Sequence, residues 1–493
     1  MRQVKNPQPH FGQVAIGDIV LDPKSRDDIP QLLRGLQYIY TTPQLRDEVF
    51  AILSQVVPRD DKGKPVSSDT GRPGLDQWSI LVLGVLRLAI NADYDRVHEL
   101  ANQHKTVRLF LGHSGWAAET EYSLGQLQDN LRLFTPEILN QINQAVVRYG
   151  HELVKKNGAD EPLSPELMAR CDSFVVKTHV HFPTDIGLLW DAVRKILHGG
   201  QALAKALKVK GWRQARHNQQ AFKRQCHKLQ KLRKSKKADA EQVELATQRL
   251  ILLALSHISR AQALLEAAQT LDDRLVEQLQ QWRDYAQLFA DQIHRRCILG
   301  EDIPHDEKIF SIFQSHTEWI SKGKAGVPQG LGLRVHIVED QHQFILHHRV
   351  ARQQTDEKLA IELVRETKQA FPNLQGVSFD KGYHSPENQR ELPRIVPQVT
   401  LPKKGRRNAS EQEREQSPTF QQQRRQHSAV ESAINGLEQG GLDRCRDHGI
   451  DGFERYVALA VLARNIKRIG VLLRQAEKAE ADRKRGPYKK RTA

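Results

Sequence analysis

The stretch Gly376 to Arg390, GVSFDKGYHSPENQR, constrains the fold of this chain more than any other. A short apolar run (Val377, Phe379) reads as a strand, Asp380 ends it, Gly382 turns the chain, and Ser385 with Pro386 supplies the N-cap and first position of a helix. Strand, acid, turn and helix in that order belong to an α/β sheet. An acid at the carboxyl end of such a strand points into the crevice where open α/β sheets build their sites, which makes Asp380 a candidate metal ligand or general base. The same local geometry also suits an acid that only caps its turn.

The 493 residues are too many for one ordinary core, and several domains are expected. No run approaches the roughly 18 to 20 apolar residues of a membrane span, and MRQVKNPQPHFG lacks the apolar segment of a secretory signal, so no membrane partner and a cytoplasmic location are expected. The four cysteines, Cys171, Cys226, Cys297 and Cys445, lie far apart without a CxxC pair, which argues for reduced thiols and against a structural zinc. A net charge of +15 points to a polyanionic partner, of which nucleic acid is the commonest. That charge is concentrated: Gln201 to Lys237 holds 13 Lys plus Arg and no acid, with Lys231, Arg233 and Lys234 near its end as candidate phosphate contacts.

Taken in order, residues 1–155 read as helical and are expected to bind DNA. Within them, 76–112 fits either a helix-turn-helix or an ordinary helical packing domain. After a polar linker, residues 165–200 begin a second domain with a strand (Phe174, Val175, Val176) that carries Asp172, followed by a helix from Thr184. Residues 201–300 read as a basic helical hairpin with a turn at Thr270 to Asp273. Strands return at Gly332 to Val338 and Phe344 to Val350, within a region 301–475 that completes the second domain. A helix over Asp356 to Ala370, a polar loop from Lys403 to Gln426 and a helix from His427 follow, before a basic tail over 476–493.

Asp172, Asp380 and Glu431 thus fall on two strands and a helix. Three carboxylates gathered in this way suit two divalent metals acting on a phosphodiester; Mg²⁺, a hard cation with oxygen ligands, fits the set. Asp185 and Asp191 sit where helix acids usually serve the macrodipole.

CDSFVVKTHVHFPTDIGLLWDAVR around Asp172, HTEWISKGKAG from His316, SFDKGYHSPEN around Asp380, and HSAVESAINGLEQGGLDRCRDHGIDGFERYVALAVLARNI around Glu431 together resemble a bacterial insertion-sequence transposase of the DDE type, most similar to the ISNCY group. The resemblance implies an α/β RNase H-like catalytic core with a large all-helical insertion, plus an N-terminal all-helical domain. It implies that Asp172, Asp380 and Glu431 bind two Mg²⁺ ions, for which Mn²⁺ substitutes. The activity implied is hydrolysis at the element's ends followed by strand transfer into target DNA. The partners implied are double-stranded DNA, as terminal inverted repeats and target, and a second copy in a dimer or larger synaptic complex. Tyr383 falls where related transposases place a tyrosine. The related pattern also expects an arginine four residues before the glutamate and a basic residue seven after it; His427 and Glu438 stand there, and Arg424 and Arg425 are the candidate replacements. Glu438 and Glu318 are rival metal ligands. The same features also admit a nuclease without strand transfer, or a non-catalytic DNA-binding derivative.

Overall fold

A computed structural model describes residues 3–5, 11–58, 64, 66, 74–114, 119–157, 166–268, 274–321 and 329–485, and the chain divides into two compact units, Met1–His179 with Ile320–Ala493, and Val180–Trp319.

The first unit is built on a mixed sheet. Its central strand β1 (Leu167–Lys177) runs antiparallel to β3 (Gln329–Asp340), with Asp172 opposite Ile337, and parallel to β5 (Leu374–Phe379), with Cys171 opposite Phe379. The sheet order is β2 (Glu318–Ser321), β3, β1, β5, β6 (Gln398–Thr400), and β4 (Ile345–Ala351) also pairs with β3. The β3–β4 hairpin is pinned by the Asp340 carboxylate, whose Oδ1 accepts from the backbone N–H groups of His342 (2.8 Å) and Phe344 (2.9 Å).

Helices α1 (Asp28–Thr41), α2 (Pro43–Leu53), α3 (Gln77–Ala89), α4 (Tyr94–Gln103), α5 (Lys105–Phe110), α6 (Leu124–Leu131) and α7 (Pro136–Asn157) precede the sheet. They share one continuous apolar core with it, so the helical segment expected over 1–155 has no separate core of its own. The reason is the position of the last long helix, α17 (Ile450–Arg485), which packs on α1, α3 and α7. At 36 residues it is about 54 Å long, and it extends the apolar helix read near 452–473 into the region expected as a basic tail. Tail residues 486–493 lie outside the described residues. Glycines allow α1 and α17 to cross closely: a Cβ on Gly35 would lie 2.1 Å from the Ile466 carbonyl oxygen, and one on Gly470 would lie 1.9 Å from that of Gln31. Buried Asn465 of α17 donates to Asn143 Oδ1 (2.7 Å) and the Ile345 carbonyl (2.9 Å) and accepts from the Ile345 N–H (3.0 Å), tying α17, α7 and β4 together.

Within 76–112, the stretch that fits either a helix-turn-helix or an ordinary helical packing domain, the helices differ in exposure. Every residue of α3 is buried, α5 spans six residues, and Arg108 bonds the carbonyls of Ala101 and Thr120. The ten-residue α4 between them buries Val97, Leu100 and Ala101 and leaves Asp95, Arg96, Glu99 and Gln103 exposed.

The second unit holds α8 (Asp185–Ala206), α9 (Ala215–Lys234), α10 (Ala240–Ala267) and α11 (Arg274–Cys297) around its own core. The helix that follows β1 therefore belongs with the insertion and not, as expected for 165–200, with the sheet: its apolar face (Ile186, Leu189, Val193, Ile196) is buried among α9, α10 and α11. Residues 301–319 also fall in this unit. The turn expected at 270–273 lies outside the described residues. Helix α10 is apolar and long enough to cross a membrane, yet Leu250, Ala254, Ile258, Ala261 and Leu264 face this core. In α9, Phe222, Cys226 and Leu229 form the inward stripe while Lys223, Arg224, Lys228, Lys231, Arg233 and Lys234 are exposed.

Between β4 and the end of the chain, α12 (Asp356–Ala370) crosses to β5, and α13 (Pro386–Ile395) starts at Ser385, whose Oγ accepts from Asn388 N–H (3.0 Å). The segment read as a loop, 403–426, instead forms α14 (Ala409–Gln416) and α15 (Pro418–His427), followed by α16 (Val430–Leu437). Both first helices are strongly polar and bury little more than Glu415 and Phe420, so no apolar stripe announced them; a capping box at Asn408 and Glu411 starts the first.

Candidate active site

The register of β1 against β5 creates the site. Cys171 pairs with Phe379 on parallel strands, so Asp172 and Asp380, one residue further along each, leave the same edge of the sheet side by side. Glu431 enters from the first turn of α16, whose Val430, Ala433 and Leu437 anchor it in the core.

Asp380 caps the single 3-10 turn Lys381–Tyr383, with Oδ1 accepting from Gly382 N–H (2.6 Å). The cap holds one oxygen and so fixes the carboxylate's direction. Asp172 is fixed in the same way by the N–H of Ser173 (2.7 Å). Burial pushes the Asp172 carboxyl up to about 6; the Ser173 N–H works against this, and the negative charges of Asp380, Asp356 and Glu431 add to it. Asp380 is also raised, first by burial and then by the charge of Asp356, against the pull of Gly382 N–H. Asp172 thus feels the charge of both acids read with it from the sequence, Asp380 and Glu431.

A fourth acid, Asp356, has no signal in the sequence that sets it apart. It stands at the first position of α12, where an acid ordinarily marks only a helix start. Here it accepts from Ser173 Oγ (3.0 Å), pairs with Arg334 (2.9 Å) and approaches His336 Nε2 (3.6 Å). A Cβ on Gly382 would lie 2.9 Å from Asp380 Oδ1 and 3.2 Å from Asp356 Oδ2, so a larger residue there would displace these carboxylates.

Tyr383, expected at the DNA, is wholly buried, and its hydroxyl hydrogen-bonds His336 Nδ1 (2.7 Å). It is a support under the acids, because a ring with no exposed surface cannot touch a phosphate. His427, also expected there, is half-buried and hydrogen-bonded to Ser378 Oγ (3.0 Å); burial, with Arg170 nearby, lowers it to about 4, so at neutral pH it carries no charge to offer a phosphate. Arg424 and Arg425 are exposed on the last turn of α15. Glu438 begins the π-helical segment Glu438–Leu442 that extends α16. Glu318 opens β2 and belongs to the second unit, as do Lys231, Arg233 and Lys234 on the last turn of α9, where Arg233 also hydrogen-bonds Cys297 Sγ. Asp185 and Asp191 have local partners there, Arg296 and Arg194.

Among the described residues no three carboxylates, imidazoles or thiols converge into a ready metal cage. The donors nevertheless suit a hard divalent cation: all are oxygens, and their mutual repulsion is relieved by positive charge. Mg²⁺ in particular uses one or two carboxylates and completes its shell with water and substrate phosphate.

No curated protein and no solved structure matches the chain. One family does: its matched stretch begins after β1 and so omits Asp172, but it contains Asp356, Asp380 and Glu431. Residues 301–466, about a third of the chain, match the family model described as a transposase DDE domain, which supports a place for this protein among the DDE transposases.

Proposed function

We propose that this protein is a DDE transposase that binds the terminal inverted repeats of its element, hydrolyses phosphodiesters at the element's ends and joins the freed 3′-hydroxyl to target DNA. On this reading the sheet is an RNase H-like core and the helical unit 180–319 its insertion. The observation that supports the reading is the parallel register of β1 and β5, which sets Asp172 beside Asp380, with the charge of Glu431 among those that help burial raise Asp172 to about 6.

In this assignment Asp172, Asp380 and Glu431 hold two Mg²⁺ or Mn²⁺ ions, which supply activation of the attacking oxygen and charge neutralisation at the leaving oxygen. The protein's own part is positional. The N–H groups of Ser173 and Gly382 hold Oδ1 of Asp172 and of Asp380 and so fix the direction of the two carboxylates. Asp356 and Arg334 brace the floor beneath them. The exposed cations of α9 and of α15 meet DNA phosphates, and two element ends are brought together in a dimer or larger synaptic complex.

The test is a cleavage and joining assay on the DNA that flanks the reading frame, with Mg²⁺ or Mn²⁺. Asp380→Ala and Glu431→Ala are expected to lose both steps, by several orders of magnitude, while keeping the wild-type fold by circular dichroism. Retained nicking in both variants would refute the triad. Nicking by the wild type without joining of pre-cleaved ends would reduce the activity to that of a nuclease.

A further inference from the structure

A cavity of about 820 Å³ in the first unit is separate from the carboxylates. It lies where the turn after α3, the end of α16 and the middle of α17 converge. Arg26, Arg96, Arg446, Arg464, Lys467 and Arg468 line it, against the acids Asp27, Asp28 and Asp93, an excess of three positive charges.

Several of these cations are held by groups that do not neutralise them. Arg446 is held by the Asn91 carbonyl (3.3 Å) and side-chain oxygen (2.9 Å), and Arg468 Nε by the His342 carbonyl (3.0 Å). Amide oxygens orient a guanidinium without cancelling its charge. Lys467 pairs with Asp28 (2.7 Å) and Arg464 with Glu339 (3.4 Å), but Arg464 Nε is buried with no partner. Glycines let the walls approach closely: a Cβ on Gly440 would lie 2.7 Å from the Leu88 carbonyl, and one on Gly436 would lie 2.4 Å from the Arg464 guanidinium. Gly441, at φ 121°, makes the bend that closes the π-helical segment.

The lining also says which anion fits. No aromatic ring lines the cavity, so it has no platform on which a base could stack. Its position adds to this. Gln439, on its wall, is eight residues beyond Glu431, roughly 12 Å along a helix axis, or about three to four base steps.

We propose that this cavity is a binding site for the phosphodiester backbone of DNA, gripping the strand a few nucleotides from the bond that is cut. The inference rests on the transposase reading and gives it a grip in the first unit, apart from the insertion helix. Arg26, Arg96 and Arg446, all exposed, make the outer contacts, and the partly buried Arg468 the inner one.

The experiment compares the full-length wild type with the Arg26→Glu/Arg96→Glu double variant. A second double variant, Arg365→Glu/Lys478→Glu, makes the same change of net charge at exposed positions outside the cavity. Binding of a duplex from the DNA flanking the reading frame is followed by fluorescence anisotropy across a NaCl series. The cavity variant should bind more weakly than the control variant, and its log–log salt slope should be shallower than wild type by about 2. A slope equal to that of the control variant overturns the proposal even if wild type binds and cuts DNA, leaving the transposase reading intact. A wild type that binds no DNA overturns both. Thermal stabilisation by inorganic pyrophosphate, with an unchanged DNA slope in the cavity variant, would show a small-anion site and likewise overturn it.

Discussion

In the absence of divalent cations, Asp172 should make the protein less stable as pH rises. Its carboxyl ordinarily ionises near 3.8 and stands at about 6 in the fold, so the folded state binds this proton more tightly than the unfolded state. The sign follows: the contribution is fully present below the unfolded value and is lost as pH climbs from about 4 to about 6. The size of the shift corresponds to about 3 kcal/mol, an order-of-magnitude figure for a mostly buried group. His336 and His427, both lowered to about 4, work in the opposite direction over part of this range, since burial makes their charged forms unfavourable in the fold. The informative quantity is therefore the difference between wild type and Asp172→Asn, which keeps the side chain's size and removes its titration. Thermal unfolding in EDTA across pH 4 to 7.5 should show the variant gaining on wild type by a few degrees through this window. Excess Mg²⁺ at pH 7.5 should then stabilise wild type more than the variant. Parallel curves for the two proteins in EDTA would refute the argument that burial and the neighbouring carboxylates hold Asp172 protonated.

Three other outcomes follow from the packing and charge. Gly470→Ala places a methyl group 1.9 Å from the Gln31 carbonyl and must push α1 and α17 apart, costing about 1–3 kcal/mol or more in chemical denaturation; an unchanged midpoint would show that the two helices do not cross this closely. Tyr383→Phe removes the hydrogen bond to His336 and should cost about 1–2 kcal/mol while leaving DNA affinity unchanged, whereas a tyrosine at the DNA would show the reverse pattern. Charge reversal of Lys231, Arg233 and Lys234 should lower the salt slope of DNA binding by about 0.9 for each phosphate no longer neutralised, and an unaltered slope would leave these groups facing solvent.

Much of the site is legible in the sequence because local chemistry and topology agree there. Ser385, Pro386 and Gly382 announce the turn and helix after Asp380, and the two apolar runs around 332–350 announce the β3–β4 hairpin. Asp356 escapes because an acid at a helix start has an ordinary local explanation, and only the packing of α12 beside the strand ends reveals a second one. Tyr383 and His427 are expected at DNA by analogy of position, but a residue's number does not tell which way its side chain turns; one is inside the core and the other is neutral. The expectation that α8 joins the sheet fails for a related reason. Adjacency in sequence to β1 says nothing about which partner buries Ile186, Leu189, Val193 and Ile196. The amphipathic pattern of α17 is visible, but its partners, α1, α3 and α7, are distant in sequence and have no local signature.

That last arrangement has a consequence for how the protein is made. The close crossing joins Gly35 near the start of the chain to Ile466 near its end. At about 5–20 residues per second, the ribosome takes on the order of 20–90 s to deliver α17 after α1 has emerged. Throughout that interval Leu32, Leu36 and Ile39 lack the α17 surface that finally packs on α1. A nascent chain that stops short of α17 leaves the apolar faces of α1, α3 and α7 uncovered even if Asp172, Asp380 and Glu431 have all been synthesised. Synthesis of α17 thus precedes the final packing of α1, α3 and α7.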